Sequence, residues 1–279
     1  MQRTNVLIVG QRTKNQQRKD RYIDEKEVIE KKHPSKQIPE LYSKLIEIYS
    51  AEGDTVLDPF NGIGTTTVEA IELGRNALGI EISPKFVDVA NQNMFMAQKR
   101  LMERQEEIPN WHLWCDDAEW RLEDLIESGE EVDLIAFSDP WPQDAPQSAK
   151  YTDYINDMGN MRGREFEKKF ISISKLMYRI LKYRGYLAWS GLGCRVPGKG
   201  YMYPLIPMYI EIMENAGFEW YQHIIALIGY MHYNRDTGEV EYRPRTTNPF
   251  EFHNQEEAWK KGERYLMFQH EDVLIFKKR

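Results

Sequence analysis

Short apolar runs alternate with longer runs of helical periodicity from about residue 38 to the end of the chain. The runs at 77–82 and 133–139 are nearly continuous in apolar character, which is typical of β-strands that are covered on both faces. Strands that alternate with helices form a doubly wound α/β sheet, whose ligand crevice lies at the carboxyl ends of the strands. About seven strands are expected, at 55–60, 77–82, 112–117, 133–139, 186–191, 220–227 and 272–278.

Between the strands, apolar residues recur every three to four positions, as on the buried face of an amphipathic helix, for example over 165–183. Two segments break this rhythm. Residues 144–164 are polar, and residues 229–264 contain "YNRDTGEVEYR", which is typical of a hairpin around 236–238. Long excursions from a compact sheet usually carry function, so we expect both segments to contact a substrate.

A glycine-containing turn follows the first strand of the alternation. In "TVLDPFNGIGTTTVEA", Gly62 and Gly64 let the backbone approach a ligand, and the following helix N-terminus favours an anionic group. The next strand ends in Glu81, whose carboxylate is positioned to accept from both hydroxyls of a ribose. A carboxylate at Asp58 would repel a pyrophosphate but could pair with an ammonium group. The pattern favours a nucleoside cofactor such as S-adenosylmethionine over a dinucleotide or a plain turn.

The stretch "VDLIAFSDPWPQ" is a buried-strand pattern that runs into two prolines flanking Trp141. Proline ends a strand because it cannot donate to the sheet, so this turn can be a simple terminator. Because it follows a neighbouring strand of the same predicted sheet, it can also face the cofactor crevice. The pattern alone favours the terminator over a catalytic loop.

The net charge of −7 excludes a global electrostatic attraction to nucleic acid, so a polyanionic partner has to meet a local basic surface. Residues 10–22 and 241–265 are such patches, the second with aromatic residues interleaved. The alternative for each patch is an ordinary solvated face.

Cysteine and histidine usage argues against a metal or disulfide protein. Cys115 and Cys194 are the two cysteines, and the six histidines have no metal-ligand spacing. No apolar run approaches the length of a signal sequence or a membrane span. We expect a soluble, cytoplasmic protein without a metal.

The segment from His33 to Ala90 resembles the cofactor half of the DNA amino-methyltransferases, which methylate cytosine N4 or adenine N6 with S-adenosylmethionine. That family carries H-P-x-K, then D-P-F-x-G-x-G-T-T, then a strand ending in an acid. The resemblance implies a Rossmann-like methyltransferase sheet with a late antiparallel strand, and Asp117 and Ala118 at the adenine of the cofactor. The residues implied in cofactor binding are His33, Lys36, Asp58, Pro59, Phe60, Gly62, Gly64, Thr65, Thr66, Glu81, Ile82, Asp117 and Ala118.

The same family carries a tetrapeptide [D/N/S]-P-P-aromatic at the tip of its fourth strand. An ungapped alignment gives Ser138, Asp139, Pro140 and Trp141, with Asp139 in place of the first proline; the alternative register starts at Asp139. By this resemblance a side-chain oxygen of Ser138 or Asp139 and a backbone carbonyl accept from the target amine. Trp141 would then stack on the target base.

We therefore predict a site-specific DNA methyltransferase that flips its target base out of the duplex, and Ser138 favours cytosine N4. The alternatives are an adenine-N6 enzyme, an RNA amino-methyltransferase and an inactive DNA- or cofactor-binding homologue. Expected substrate contacts are Tyr151, Arg243 and Arg245. The predicted divisions are a basic N-terminal arm (1–32), a catalytic domain (33–228 and 265–279) and an insertion for target recognition (229–264).

Overall fold

The structure is a computed structural model of the chain. It describes residues 5–10, 17–19, 21–24, 29, 33, 36–143, 152–191, 194–195, 202–235, 237–244, 259–260, 262 and 270–279. The strands are β1 (Val6–Val9), β2 (Thr55–Asp58), β3 (Asn76–Glu81), β4 (Trp111–Cys115), β5 (Val132–Phe137), β6 (Leu181–Gly191), β7 (Cys194–Arg195), β8 (Met202–Tyr203), β9 (Glu219–Tyr233), β10 (Val240–Pro244) and β11 (His270–Lys277). The helices are α1 (Pro39–Tyr49), α2 (Thr65–Glu72), α3 (Pro84–Arg104), α4 (Ala118–Glu127), α5 (Gly163–Ile180) and α6 (Leu205–Asn215), with a 3₁₀ turn at Met158–Asn160.

Among the described residues, nine strands form one sheet in the order β1-β9-β11-β6-β5-β2-β3-β4, with β10 paired to β9. Neighbours from β6 to β4 are parallel, whereas β11 is antiparallel to both β6 and β9. The predicted α/β fold with a late antiparallel strand is therefore confirmed. All seven predicted strands are present, at β2 to β6, β9 and β11.

Helices cover both faces of the sheet, and alternate residues of β11 show the two resulting layers. Val273 and Ile275 belong to the buried cluster formed with α1, α2 and α3. Leu274 and Phe276 belong to the cluster formed with α4, α5 and α6. Because successive side chains of a strand point to opposite faces, a strand buried on both faces is apolar at every position. This explains the continuous apolar runs of the sequence.

Part of the predicted N-terminal arm lies in the sheet. β1 pairs in parallel with β9, from Val6 opposite Ile225 to Val9 opposite Ile228. Further along, the guanidinium of Arg21 lies 2.9 Å from the Glu69 carboxylate on α2, and the Tyr22 hydroxyl donates to the same carboxylate at 2.8 Å. Arg21 of the predicted basic patch is therefore paired with α2 of the same chain.

The predicted hairpin is confirmed. β9 continues beyond the sheet to Tyr233, and β10 returns antiparallel to it, with Val240 opposite Tyr233 and Pro244 opposite Gly229. β9 runs antiparallel to β11, which runs antiparallel to β6, so β9 ends at the same edge as the parallel strands. The hairpin therefore projects from the carboxyl edge, where β2, β3 and β5 also end.

Candidate cofactor and catalytic site

The turn after β2 depends on two glycines in the left-handed region. Gly62 has φ +51° and Gly64, which precedes α2, has φ +85°. A Cβ on Gly62 would lie 3.1 Å from Nε2 of His33, and one on Gly64 would lie 3.3 Å from Cβ of Ala90. Larger residues would strain the backbone and crowd these neighbours. The turn is thus shaped by glycine for close approach.

The carboxylate of Glu81, at the end of β3, fastens this turn to the neighbouring strand. One oxygen accepts from the backbone N–H of Gly62 at 2.8 Å and the other from the N–H of Ser83 at 2.8 Å. Burial raises the pKa of Glu81 to about 7, with a smaller contribution from nearby Asp157 and Asp58, although both hydrogen bonds oppose the rise. Each oxygen keeps further accepting capacity for a ligand hydroxyl.

A second buried carboxyl, Asp58, ends β2. One of its oxygens accepts from the backbone N–H of Phe60 at 2.9 Å. Burial raises the pKa of Asp58 to about 7, and hydrogen bonds from Thr66, Phe60 and Gln37 oppose this shift. Glu81 and Asp58 therefore titrate in the same range at the tips of adjacent strands.

Asp117 follows β4 and caps α4 by accepting from the N–H of Glu119 at 2.8 Å. Its carboxylate also lies 3.1 Å from Nζ of Lys169 on α5 and accepts from Nδ2 of Asn156 at 2.8 Å. Buried carboxylates are normally paired in this way, because desolvation of an isolated charge is costly. Lys169 and Asn156 thus hold Asp117 at the rim of the crevice.

The segment 152–161 closes one side of the crevice. Asp157, which is 2% exposed, accepts from the backbone of Thr152 at 3.0 Å and of Gly159 at 2.9 Å. The segment is joined to the turn after β5 by the N–H of Gln143, which donates to the carbonyl of Met161 at 2.9 Å. From the stretch 144–164, which is predicted to contact a substrate, the described residues Asn156, Asp157 and Met158 line the crevice that Asp117 also lines.

The turn after β5 carries the predicted catalytic residues. Asp139 is buried, and burial raises the pKa of its carboxyl to about 6, against hydrogen bonds from Tyr209 and Trp189. Ser138 and Pro140 are half-buried, and all three residues line the crevice. Trp141 is half-buried against the core cluster and is not among the lining residues.

These residues line one continuous crevice. Four of the residues predicted for cofactor binding and catalysis are not in its lining: Asp58, Gly64, Thr66 and Trp141. Arg243 lies exposed on β10, whereas Tyr151 and Arg245 lie outside the described residues. The predicted residues that line the cavity are His33, Lys36, Pro59, Phe60, Gly62, Thr65, Glu81, Ile82, Asp117, Ala118, Ser138, Asp139 and Pro140.

Sequence reasoning missed other residues of the lining. Asn61 lies inside the recognised glycine turn, so its position was a usable signal. The residues on α5 and in the segment 152–161 gave no signal, because only the fold brings them to β4. The missed lining residues are Gln37, Asn61, Ile80, Asp116, Asn156, Asp157, Met158, Lys169 and Ile173.

The cavity suits an adenosine-type ligand. Glu81 offers carboxylate oxygens to hydroxyl donors beside a glycine turn at a helix N-terminus. Within the described part of the chain, the buried Nδ2 of Asn61 has no hydrogen-bond partner, so it can donate to a bound acceptor. The residues present therefore fit S-adenosylmethionine.

Comparisons with known proteins agree. The DNA methylase family of N6- and N4-methyltransferases matches residues 3–92. The chain is 45% identical over 62 residues to the type II methyltransferase M.MjaI of Methanocaldococcus jannaschii, covering 22% of this chain and 20% of that protein. It is 49% identical over 65 residues to M.HinfI of Haemophilus influenzae, covering 23% and 18%. The matches thus span about a fifth of each relative's length.

Among solved structures, a precorrin-8w decarboxylase from Methanobacterium thermoautotrophicum superposes with a TM-score of 0.50 at 13% identity, covering 93% of this chain and 98% of that one. At that identity the likeness concerns the fold alone.

The fold and the cavity fit S-adenosylmethionine as the cofactor. Over residues 3–92 the chain is similar to the N4/N6 DNA amino-methyltransferase family. No helix of the described residues has the length and apolar character needed to cross a membrane. The same residues contain no group of three potential metal ligands.

Proposed function

We propose that this protein transfers a methyl group from S-adenosylmethionine to the exocyclic amine of a DNA base, with cytosine N4 favoured over adenine N6. The observation that carries this proposal is the shared cavity. Glu81 and the glycine turn line one part of it, and Ser138 and Pro140 line another. A donor and an acceptor held in one cavity react with much of the entropic cost already met.

The cofactor end is assigned to Glu81 and Asp117. When bound, S-adenosylmethionine supplies a methyl group on a positively charged sulfur. Glu81 accepts from the ribose hydroxyls, and Asp117, fixed by Lys169, faces the adenine. Asp58 does not line the cavity, so its contact with the amino-acid end is proposed from the sequence alone.

The target amine is a poor nucleophile, because its lone pair is delocalised into the ring. An oxygen acceptor at Ser138 or Asp139 and a backbone carbonyl of the turn draw the nitrogen toward tetrahedral geometry. The localised lone pair would attack the methyl carbon as the carbon–sulfur bond breaks, with S-adenosylhomocysteine as the leaving group. The methylated amine would then release one proton to water. Proline contributes a fixed φ and no N–H that would compete for the carbonyl. Ser138 is the basis for favouring cytosine, because serine is commoner at this position among the cytosine enzymes of the family.

DNA contacts are assigned to the insertion 229–264. Its described hairpin projects from the carboxyl edge of the sheet and presents Arg243, whose side chain is 46% exposed. Arg245 and Tyr151 are proposed from the sequence alone. A duplex target has to be flipped out of the stack at a cost of a few kcal/mol, and stacking on Trp141 would offset part of that cost.

The test is methyl transfer from labelled S-adenosylmethionine to duplex DNA, single-stranded DNA and RNA, followed by nucleoside mass spectrometry. N4-methylcytosine in DNA supports the proposal, and N6-methyladenine in DNA corrects the base. Transfer to RNA alone overturns the DNA assignment. Cofactor binding without transfer to any polymer identifies an inactive homologue.

A further inference from the structure

In the ungapped register Asp139 stands where the family tetrapeptide has a proline, and both of its carboxylate oxygens accept hydrogen bonds. Oδ1 accepts from the indole Nε1–H of Trp189 on β6 at 2.7 Å. Oδ2 accepts from the hydroxyl of Tyr209 on α6. Asp139 is 5% exposed, so these contacts form in a largely dry environment, where hydrogen bonds to a carboxylate are strong.

The two donors are themselves rigid. Trp189 and Tyr209 are fully buried, and their rings stack with centroids 4.3 Å apart. Tyr209 also contacts Phe170 edge-on at 5.0 Å. Trp189 lies opposite Phe137 in the pairing of β5 with β6. The turn after β5 is thus attached to a neighbouring strand and to a helix from beyond that strand.

Ser138 has a different environment. Its side chain is half-buried and lines the cavity. No hydrogen bond among the described residues occupies its hydroxyl, whereas the carboxylate of Asp139 is taken by two donors. The Ser138 hydroxyl is therefore the freer acceptor for a substrate amine.

Resting on the proposed function, we infer that Asp139 is a positioning residue and that Ser138 alone supplies the side-chain acceptor. The carboxylate clamp formed by Asp139, Trp189 and Tyr209 replaces the rigidity that proline gives to the family turn. It keeps the Ser138 hydroxyl and the Pro140 segment facing the cavity. The tetrapeptide is then read in the register that starts at Ser138.

A double-mutant cycle tests this assignment. Tyr209 does not line the cavity, yet Tyr209→Phe should lower kcat about tenfold, as expected for loss of one hydrogen bond to a charged group. The cofactor Kd and the KM for DNA should change less than about twofold on this basis. Asp139→Asn combined with Tyr209→Phe should be no worse than Asp139→Asn alone, because both changes break one clamp. Additive losses, or full activity in Tyr209→Phe, would show that Asp139 acts on the amine directly.

A rescue variant sharpens the result. Asp139→Pro combined with Tyr209→Phe restores the family proline and removes one orphaned donor, so it should be more active than Asp139→Ala. If Asp139 itself accepted from the substrate amine, both the double variant and Asp139→Ala would be inactive. The matched control is Tyr49→Phe, which removes a tyrosine hydroxyl that donates to Gln222 at 2.8 Å, and it should behave as wild type.

An NMR measurement that does not depend on methyl transfer tests the clamp separately from the proposed function. In ¹⁵N spectra the indole N–H of Trp189, assigned with Trp189→Phe, should shift in both Asp139→Asn and Tyr209→Phe. If the wild-type protein methylates nothing, the proposed function fails, and the clamp is judged on this resonance. An unmoved resonance in folded Asp139→Asn overturns the clamp.

Discussion

The glycine turn after β2 and the proline turn after β5 line the same cavity, but contacts of very different range hold them. Gly62 is fixed by Glu81, 19 residues away. Asp139 is fixed by Trp189 and Tyr209, which lie 50 and 70 residues away. The side of the cavity formed by the glycine turn and Glu81, the cofactor wall, is therefore specified by one stretch of sequence. The side formed by Ser138, Asp139 and Pro140, the catalytic wall, depends on how β6 and α6 pack in this chain.

Changing Ser138 should have the largest effect and would test the independence of the two walls. Ser138→Ala removes an oriented acceptor at the reacting nitrogen, so kcat for methylation should fall about 100-fold or more, by analogy with other preorganised polar groups. Cofactor affinity, measured by calorimetry, should stay unchanged. Ser128→Ala, at the end of α4, is the control. A parallel loss of cofactor affinity would contradict independent walls.

The cofactor wall should respond in the opposite way. Glu81→Ala removes the proposed ribose acceptor and the support of Gly62, so the cofactor Kd should rise about 10- to 100-fold, as for hydrogen bonds to a charged group. Exposed Glu123→Ala on α4 serves as the control. An unchanged Kd would remove Glu81 from the site.

Changing Trp141, which does not line the cavity, tests its proposed stacking on the target base. Loss of one stacking partner costs about 1–3 kcal/mol, so Trp141→Ala should lower kcat/KM for DNA about tenfold or more. Cofactor affinity should be nearly intact in the same preparation. A large loss of cofactor binding would instead indicate that Trp141 supports the fold through its core contacts.

The buried carboxyl of Glu81 also predicts a pH dependence. Its folded pKa of about 7 lies above the ordinary value, so folding favours the protonated form. The contribution of Glu81 to the free energy of unfolding is therefore fully present below about pH 4 and is lost as the pH rises through about 7. Urea unfolding at pH 5 and pH 8 should show a smaller decrease in stability for Glu81→Gln than for wild type. An identical decrease in both proteins would refute the raised pKa.

The smallest effect is expected at the hairpin, outside both walls. Arg243→Ala should weaken DNA binding modestly and reduce the slope of log K against log salt by about 1 if the side chain contacts one phosphate. Lys99→Ala, an exposed cation on α3, should leave the slope unchanged. Equal slopes for Arg243→Ala and wild type would exclude that contact.

The fold could be predicted largely because its signals are local. Burial on both faces makes β3 and β5 continuously apolar, and both were predicted within two residues of their ends. β1 was missed, because four apolar residues gain a strand partner only through β9, more than 200 positions away.

The candidate site likewise contains residues that a local sequence pattern predicts and residues that only the fold brings together. The spacing within 58–81 predicted a glycine turn near an acid, and in the structure Gly62 and Glu81 are hydrogen-bonded across adjacent strands. Lys169 is 52 residues from Asp117 in sequence, and no local sequence pattern predicts that the two side chains are paired. The hydrogen-bond partners of Asp139 could not be predicted for the same reason. Without them, the sequence could not decide between the two registers of the tetrapeptide.

The pairing of β1 with β9 has a practical consequence for anyone shortening this protein. The recognisable motif begins at His33, which makes that residue a tempting start for a minimal version. Such a version would lose Val6–Val9 and leave Ile225–Ile228 with unpaired backbone groups along an apolar sheet border. An unpaired edge strand of this kind can pair with strands of other molecules. The shortened protein should therefore aggregate more readily than the full chain.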